Sequence, residues 1–278
     1  MSESQPLDGL RVDFKQACQV VNLLCESMGI RAVSRLTGLN QETVLNILET
    51  AGQKAAAFLD AKVRNVNASV VQADEVYTFV GCRQENALPK ETERGGQFTF
   101  LSVARDSKLI INWLVGKRTR DNADQFFGDL KTRMANRMQL VTDGYKGYSG
   151  VGGTVASVFG KEVDYCTETK YFGKPGEFLP RQVIGFRRRR RIGNPDITMA
   201  TTAHAERTNL SVRTFTRRFT RCTLGHSKKL ENHKLAVALF VAHFNFCRVH
   251  SAHGQTPAMA AKLTDHAWTI EEMLSATI

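Results

Sequence analysis

Apolar residues open this chain at helical spacing, and the character of the sequence changes near residue 67. The helical spacing runs to about residue 52. Val20, Val21, Leu23 and Leu24 mark one amphipathic stretch. A short helix carrying Val33 and Leu36 is expected to stop at Gly38, because glycine tolerates the left-handed backbone of a helix end. Asn40 can cap the next helix, whose inner side would hold Val44, Leu45 and Leu48. Helix, glycine turn and helix make a helix-turn-helix, whose second helix can enter a DNA major groove. Gln41, Thr43 and Asn46 would then face bases or phosphates. An ordinary helical hairpin gives the same pattern.

Residues 52–67 read as a helical connection, and β-branched and aromatic residues then take over. Ala68 to Val80, Gln97 to Ala104 and Leu109 to Val115 are expected strands, the last two joined by a turn at Arg105–Lys108. Short links between consecutive strands favour an antiparallel meander. Asp121 or Asn122 opens a helix with Phe126, Phe127, Leu130 and Met134 near one face. Met138 to Thr142 forms a short strand that ends at Asp143-Gly144. Three strands, a helix and a strand open an α/β, RNase H-like mixed sheet flanked by helices, although other mixed folds begin the same way.

From residue 150 to 195 regularity falls, with Pro175, Gly176, Pro180, Gly185, Gly193 and Pro195 as punctuation. Five consecutive arginines, Arg187, Arg188, Arg189, Arg190 and Arg191, lie in this stretch, which reads as a mobile basic insertion or hairpin. Two helices follow, about Thr202–Cys222 and Ser227–Cys247, then short closing helices. The expected organisation is a helix-turn-helix domain over residues 1–62, a catalytic domain over 63–250 with its basic insertion near 150–200, and a helical tail over 251–278.

Charge sharpens this picture. Lys and Arg total 38 against 27 Asp and Glu, a formal net charge of +11 that favours a polyanionic partner, nucleic acid first. The cysteines, Cys18, Cys25, Cys82, Cys166, Cys222 and Cys247, form no CxxC pair or disulfide framework. No signal segment opens the chain, and no apolar run approaches the roughly 18 residues of a membrane span. The expectation is a cytoplasmic, DNA-associated protein with no membrane partner. His243, Cys247, His250 and His253 have a spacing that invites zinc, but no second ligand pair accompanies them, and packing is the simpler role.

Cutting a phosphodiester requires an activated oxygen nucleophile and relief of phosphoryl charge, which two divalent ions can supply together. Magnesium prefers carboxylate oxygens, so a few converging acids suffice. Asp74 interrupts an apolar strand, with its neighbour Glu75 as the competing acid. Asp143 sits at a strand exit, where a turn-forming Asp-Gly is the plainer account. Glu206 opens a helix on which Asn209, Arg213 and Arg217 follow at helical spacing, an acid leading a basic stripe. Glu162, Asp164, Glu168 and Glu177 lie in the same interval and are alternatives for the third acid.

The segments Asp74-Glu-Val-Tyr-Thr-Phe-Val-Gly81, Thr142-Asp-Gly144 and Glu206-Arg-Thr-Asn-Leu-Ser-Val-Arg213 resemble the DDE transposases of bacterial insertion sequences. So do Arg217-Arg-Phe-Thr-Arg221, Ser227-Lys-Lys-Leu-Glu-Asn232 and His243-Phe-Asn-Phe-Cys-Arg-Val-His250. With Thr256-Pro257 and Asp265-His-Ala-Trp268, they look like the IS-one group, over a span from about Leu36 to Leu274. The resemblance implies an RNase H-like catalytic domain dependent on Mg²⁺ or Mn²⁺, with two ions. It also implies binding to terminal inverted repeats and strand transfer into target DNA. It assigns Asp74, Asp143 and Glu206 as the catalytic and metal-holding acids. Arg213, Arg217, Arg218 and the run Arg187–Arg191 are expected DNA contacts, and a homo-oligomer on DNA would let two ends be cut together. A helix-turn-helix regulator with an inactive catalytic domain, or a stand-alone nuclease, would share many of these features.

Overall fold

The computed structural model describes Leu7 and residues 11–150, 152–173, 182–221 and 223–276. Three helices come first: α1 (Phe14–Cys25), α2 (Ile30–Thr37) and α3 (Gln41–Lys62). Gly38 ends α2 at φ 74°, the left-handed geometry that favours glycine, and the Asn40 side chain accepts from Glu42 N–H to start α3. Val44, Ile47 and Leu48 are buried, whereas Leu45 is only half-buried.

Next come β1 (Val70–Val80), β2 (Gly95–Ala104), β3 (Ile110–Gly116), α4 (Arg120–Arg133) and β4 (Gln139–Asp143). The chain continues through α5 (Lys146–Ser149), α6 (Thr154–Phe159), β5 (Asp164–Phe172) and β6 (Val183–Ile192). It closes with α7 (Ala203–Phe215), α8 (Leu230–Ala242), α9 (Pro257–Ala260) and α10 (Ile270–Ser275). The six strands form one sheet in the order β3-β2-β1-β4-β5-β6. β1, β2 and β3 pair antiparallel, β1, β4 and β5 pair parallel, and β6 returns antiparallel to β5. This mixed sheet flanked by helices is consistent with the RNase H-like arrangement expected from the element order.

Strand alternation separates two faces. Asp74 accepts a hydrogen bond from Asn209 of α7, so Gln72 and Asp74 face that helix. Phe100, the register partner of Glu75, packs on Phe126 of α4, so Glu75 belongs to the other face. One hydrophobic cluster joins Val21 and Ile47 to Leu101, Phe127, Val241 and Leu274. At Gly52 of α3 an added Cβ would lie 2.7 Å from Leu235 Cβ, so glycine permits the close approach of α8. Phe58 stacks edge-on with Phe246 and Trp268 at 4.8 and 5.1 Å, binding the first helices to the last.

Four expectations change. The arginine run bears out the hairpin reading but is not irregular: it is the edge strand β6, paired antiparallel with β5. The helix beginning near Thr202 ends at Phe215, where Thr216 turns extended and is buried; Cys222 lies outside the described residues. The following helix starts at Leu230 and gives way to a π-helical turn over His243–Cys247. There Asn245 donates to Ile110 O at 2.8 Å and accepts from Ile110 N at 2.9 Å, satisfying backbone groups on edge strand β3. Met134 leaves the helical face, as extended backbone follows Arg133. No helix among the described residues is long and apolar enough to cross a membrane.

Candidate metal-binding acid cluster

Register brings the acids together. Ala73 of β1 lies opposite Thr142 of β4, and Asp143 lies opposite Glu168 of β5. Asp74, Asp143 and Glu168 therefore occupy neighbouring positions across three parallel strands. Ligand oxygens of Asp74, Glu75 and Asp143 lie within 4.8 Å of one another, the one such group among the described residues. The His243–His253 segment forms no such group, and burial holds the His243 imidazole down at about 4.

Each acid has a distinct neighbourhood. Asp74 is bound by Asn209 Nδ2 at 2.8 Å. Burial raises its carboxyl to about 6, with repulsion from Asp143 and Glu206 adding to the rise. Glu75 is also enclosed, its side chain 5% exposed. Burial raises its carboxyl to about 8 even though Arg118 opposes the rise. Arg118 lies 3.2 Å from Glu75 and 3.5 Å from Asp143, with its guanidinium over the Tyr145 ring at 3.9 Å. Asp143 spends its other oxygen on Tyr145 N–H at 3.0 Å, so the Asp-Gly turn chemistry and the acid cluster coexist.

Glu206 lies on α7 close enough for its charge to act on Asp74, but its carboxylate is paired with Lys170 of β5 and accepts from Thr202 Oγ1 at 2.7 Å. Glu168 is the more buried acid, with a side chain 1% exposed. It pairs with Arg188 at 3.1 Å and accepts the Thr202 backbone N–H at 3.1 Å. Gln72 Oε1 accepts from His204 N and Ala205 N at 2.9 and 3.1 Å. Two sheet side chains thus satisfy the free N–H groups that open α7, fixing the helix that carries Glu206 and Asn209.

Sequence reasoning missed Gln72, Arg118 and Lys170. Gln72 alone left a signal, as a polar residue two places before Asp74 in an apolar strand. Of the other third-acid alternatives, Asp164 is tied to Arg137 at 2.8 Å and Glu162 to Lys131 at 2.6 Å. Glu177 lies outside the described residues.

The expected DNA-contacting residues divide. Gln41 and Asn46 are exposed on α3, and Thr43 is half-buried. Arg187 to Arg191 are all exposed, although Arg188 holds Glu168 and Arg191 donates to Thr167 Oγ1 at 3.3 Å. Arg213 is half-buried and interacts with Asp74 through its charge. Arg217 is exposed but lies in a separate 3₁₀ turn, off the α7 stripe. Arg218 turns inward, donating to Ser227 Oγ at 2.9 Å, and burial lowers its guanidinium to about 10.

No family model and no curated protein matches the chain. Among solved structures, it is similar to a chain in the simian T-cell lymphotropic virus intasome in complex with PP2A regulatory subunit B56 gamma. That match has 12% identity and a TM-score of 0.42, covering 88% of this chain and 74% of the other. A chain of the Mos1 strand transfer complex matches at 12% identity and TM-score 0.23, covering 51% of this chain and 54% of its own. A chain of a pre-cleavage Mos1 transpososome matches at 9% and 0.23, covering 54% and 58%. These scores are low, so the chemistry of the site has to come from the residues themselves.

Proposed function

We propose that this chain is a DDE transposase that cuts DNA at the ends of a mobile element and joins those ends to target DNA. The observation that carries the reading is the convergence of Asp74 and Asp143 on adjacent parallel strands, beneath a helix that presents Asn209 and Glu206.

The donor set suits a hard divalent ion. Carboxylate oxygens crowd together, and burial with mutual repulsion makes Asp74 a reluctant anion until positive charge arrives. Among the described residues, Oε1 of the cluster's own Glu75 and Oδ1 of neighbouring Asn209 are buried without a hydrogen-bond partner, two acceptors still open. Asp74 and Asp143 would hold Mg²⁺ or Mn²⁺, with Glu206 as the third acid once Lys170 yields its place. When bound, such ions lower the pKa of an attacking hydroxyl and neutralise charge on the phosphoryl group.

The chain's own residues do the positioning. Asn209 holds Asp74 in one orientation, and Tyr145 N–H and Arg118 do the same for Asp143. Gln72 and Glu168 fix the start of α7, so Glu206 approaches from a braced helix. Glu75, on the opposite face and paired with Arg118, is assigned to orienting that arginine. Gln41, Thr43 and Asn46 at the exposed start of α3, with Arg213 and Arg217, would contact the element ends, and a dimer or larger assembly would bring two ends together. Arg218 is assigned instead to holding the loop at Ser227.

The test is cutting and joining of DNA that carries the gene's own flanking repeats, with Mg²⁺ or Mn²⁺. Wild type should cut at the repeat ends, and Asp143→Ala should bind the same DNA while losing roughly 10³-fold or more in rate. Wild-type binding without any cutting would leave a DNA-binding regulator. Cutting without preference for the ends, and without joining, would leave a nuclease.

A further inference from the structure

The β5–β6 ribbon runs past the acid cluster, and its composition changes along its length. Nearest the cluster are Glu168 and Arg188, opposite each other in the register. Next are Lys170, which reaches Glu206, and its register partner Phe186. Beyond them come Phe172 and Val183. Cross-strand partners share a face, so Phe186 lies on the same side of the ribbon as Lys170 and the acids. Phe172, two residues beyond Lys170, follows by alternation along β5, the register of β6 shifting by one residue between Tyr171 and Phe172. At about 3.3 Å per residue, Phe172 stands roughly 7 Å beyond Lys170 along the strand.

These rings are left open. Phe172 is 52% exposed, Phe186 57% and Ile184 70%. Tyr171, on the other side of β5, is 44% exposed. Arg190 is exposed and alternates with Arg188 and Phe186 onto the same side of β6, whereas Arg187 and Arg189, whose guanidinium groups carry no hydrogen bond or ion pair among the described residues, alternate to the other side.

We propose that this face of the ribbon binds unpaired nucleotides beside the scissile phosphate, with Phe172 and Phe186 stacking on bases and Arg190, on the same side of β6, holding the backbone. The proposal rests on the reading that the chain acts on DNA, and goes further by naming the form of DNA held. Charge decides between occupants. A second copy of a chain with net charge +11 would bring like charge to an arginine strand. A single-stranded polyanion offers negative charge for the arginines and flat faces for the rings at once. Bases within a duplex are already stacked on their neighbours and must leave the stack to meet a side chain, so the rings select unpaired nucleotides.

The experiment compares fluorescence anisotropy of a labelled single-stranded thymidine oligonucleotide and a blunt duplex. The proteins are wild type, Phe172→Ala with Phe186→Ala, the corresponding double leucine variant and the double tyrosine variant. The alanine and leucine pairs should lose roughly ten-fold or more on the single strand, within the range of one lost stacking contact, and about two-fold or less on the duplex. The tyrosine pair, which keeps the ring faces, should retain single-strand affinity. Circular dichroism and Mn²⁺ affinity should match wild type for all three. Unchanged single-strand affinity in the alanine pair overturns the proposal, as does an equal loss on both DNA forms. Full binding by the leucine pair would also overturn it, since an apolar contact without a ring would then suffice. If sedimentation shows self-association lost while both DNA affinities stand, the face belongs to a second copy. Wild type failing to bind the duplex would instead overturn the underlying DNA reading.

Discussion

The centre of the sheet and its outer edge concentrate opposite charge, and the fold treats the two differently. At the centre, Asp74, Glu75 and Asp143 are crowded, with Arg118 against two of them and Lys170 and Arg213 acting on Asp74 by charge. Burial nonetheless drives two of the three toward protonation. At the edge, β6 carries five exposed arginines, of which Arg188 is tied to a carboxylate. Crowded acids kept in a partly dry centre store repulsion that a small, hard cation relieves. Exposed arginines on a strand are solvated and available, and suit an extended polyanion. Two contacts join the regions: Arg188 to Glu168 and Lys170 to Glu206. Each sets a residue of the basic ribbon against an acid near or on α7.

The sharpest way to break that comparison is to separate the two ribbon-linked acids. Glu206→Gln should lower DNA cutting by roughly a hundredfold or more, with unfolding free energy within about 0.5 kcal/mol of wild type. Glu168→Gln should instead destabilise the fold by about 1–3 kcal/mol, discounted for the exposure of Arg188, because it weakens a buried pair and the anchor of α7. Cutting that survives Glu206→Gln but fails in a fully folded Glu168→Gln would move the third acid to β5.

A second test concerns the stored repulsion. An acid whose folded pKa is raised binds more protons folded than unfolded between its two values, so stability falls as pH rises through that window. For Asp74 the window runs from 3.8 to about 6, and for Glu75 from 4.5 to about 8. Below about pH 6.5 the buried His233 and His243, held down at about 3 and 4, oppose this trend. Urea unfolding with a chelator present should therefore show stability declining from about pH 6.5 to 8, by up to about 1.4 kcal/mol per unit from Glu75. Glu75→Gln should flatten the upper part of the decline, and Mn²⁺ should oppose it. Asp164, held at about 2 by Arg137, acts below this range. A flat or rising profile between about pH 6.5 and 8 in the chelated protein would show that burial and its neighbours do not hold the Glu75 carboxyl up.

The smallest effect tests the contact between the regions. Lys170 occupies the Glu206 carboxylate that a metal ion would use. Removing it with Lys170→Met should tighten Mn²⁺ binding by about two- to five-fold in titration calorimetry, the scale of a partly exposed ion pair. Weaker Mn²⁺ binding in that variant would mean that Lys170 supports Glu206 and does not compete for it.

Much of this was legible locally. Gly38 and Asn40 mark a helix end and a helix start because glycine freedom and side-chain capping act within a few residues. β1 is recognisable from its β-branched and aromatic content, and Asp74 stands out as an acid inside it. The Asp143-Gly144 turn is legible for the same reason, as an aspartate bonding two residues ahead. Charge and composition pointed to a polyanion with no structure at all. The sequence could not choose between Asp74 and Glu75 as the acid facing α7, since both neighbours sit in a strand covered on two faces. It offered a hairpin for the arginine run but not the bounds of its strands, because exposed arginines carry no pattern of burial to set a period.

Those choices depend on register and docking. Which acids meet is decided by Ala73 lying opposite Thr142 and Asp143 opposite Glu168, pairings between segments far apart in the chain. Which face is chemical is decided by α7, held over β1 by Gln72 and Glu168. Sequence alone determined the elements, the surplus of positive charge and a short set of candidate acids, because propensity, capping and net charge are local or additive. Tertiary structure decided which of those acids share a site and which arginines remain free, because a one-residue slip in strand pairing would turn every side chain to the opposite face.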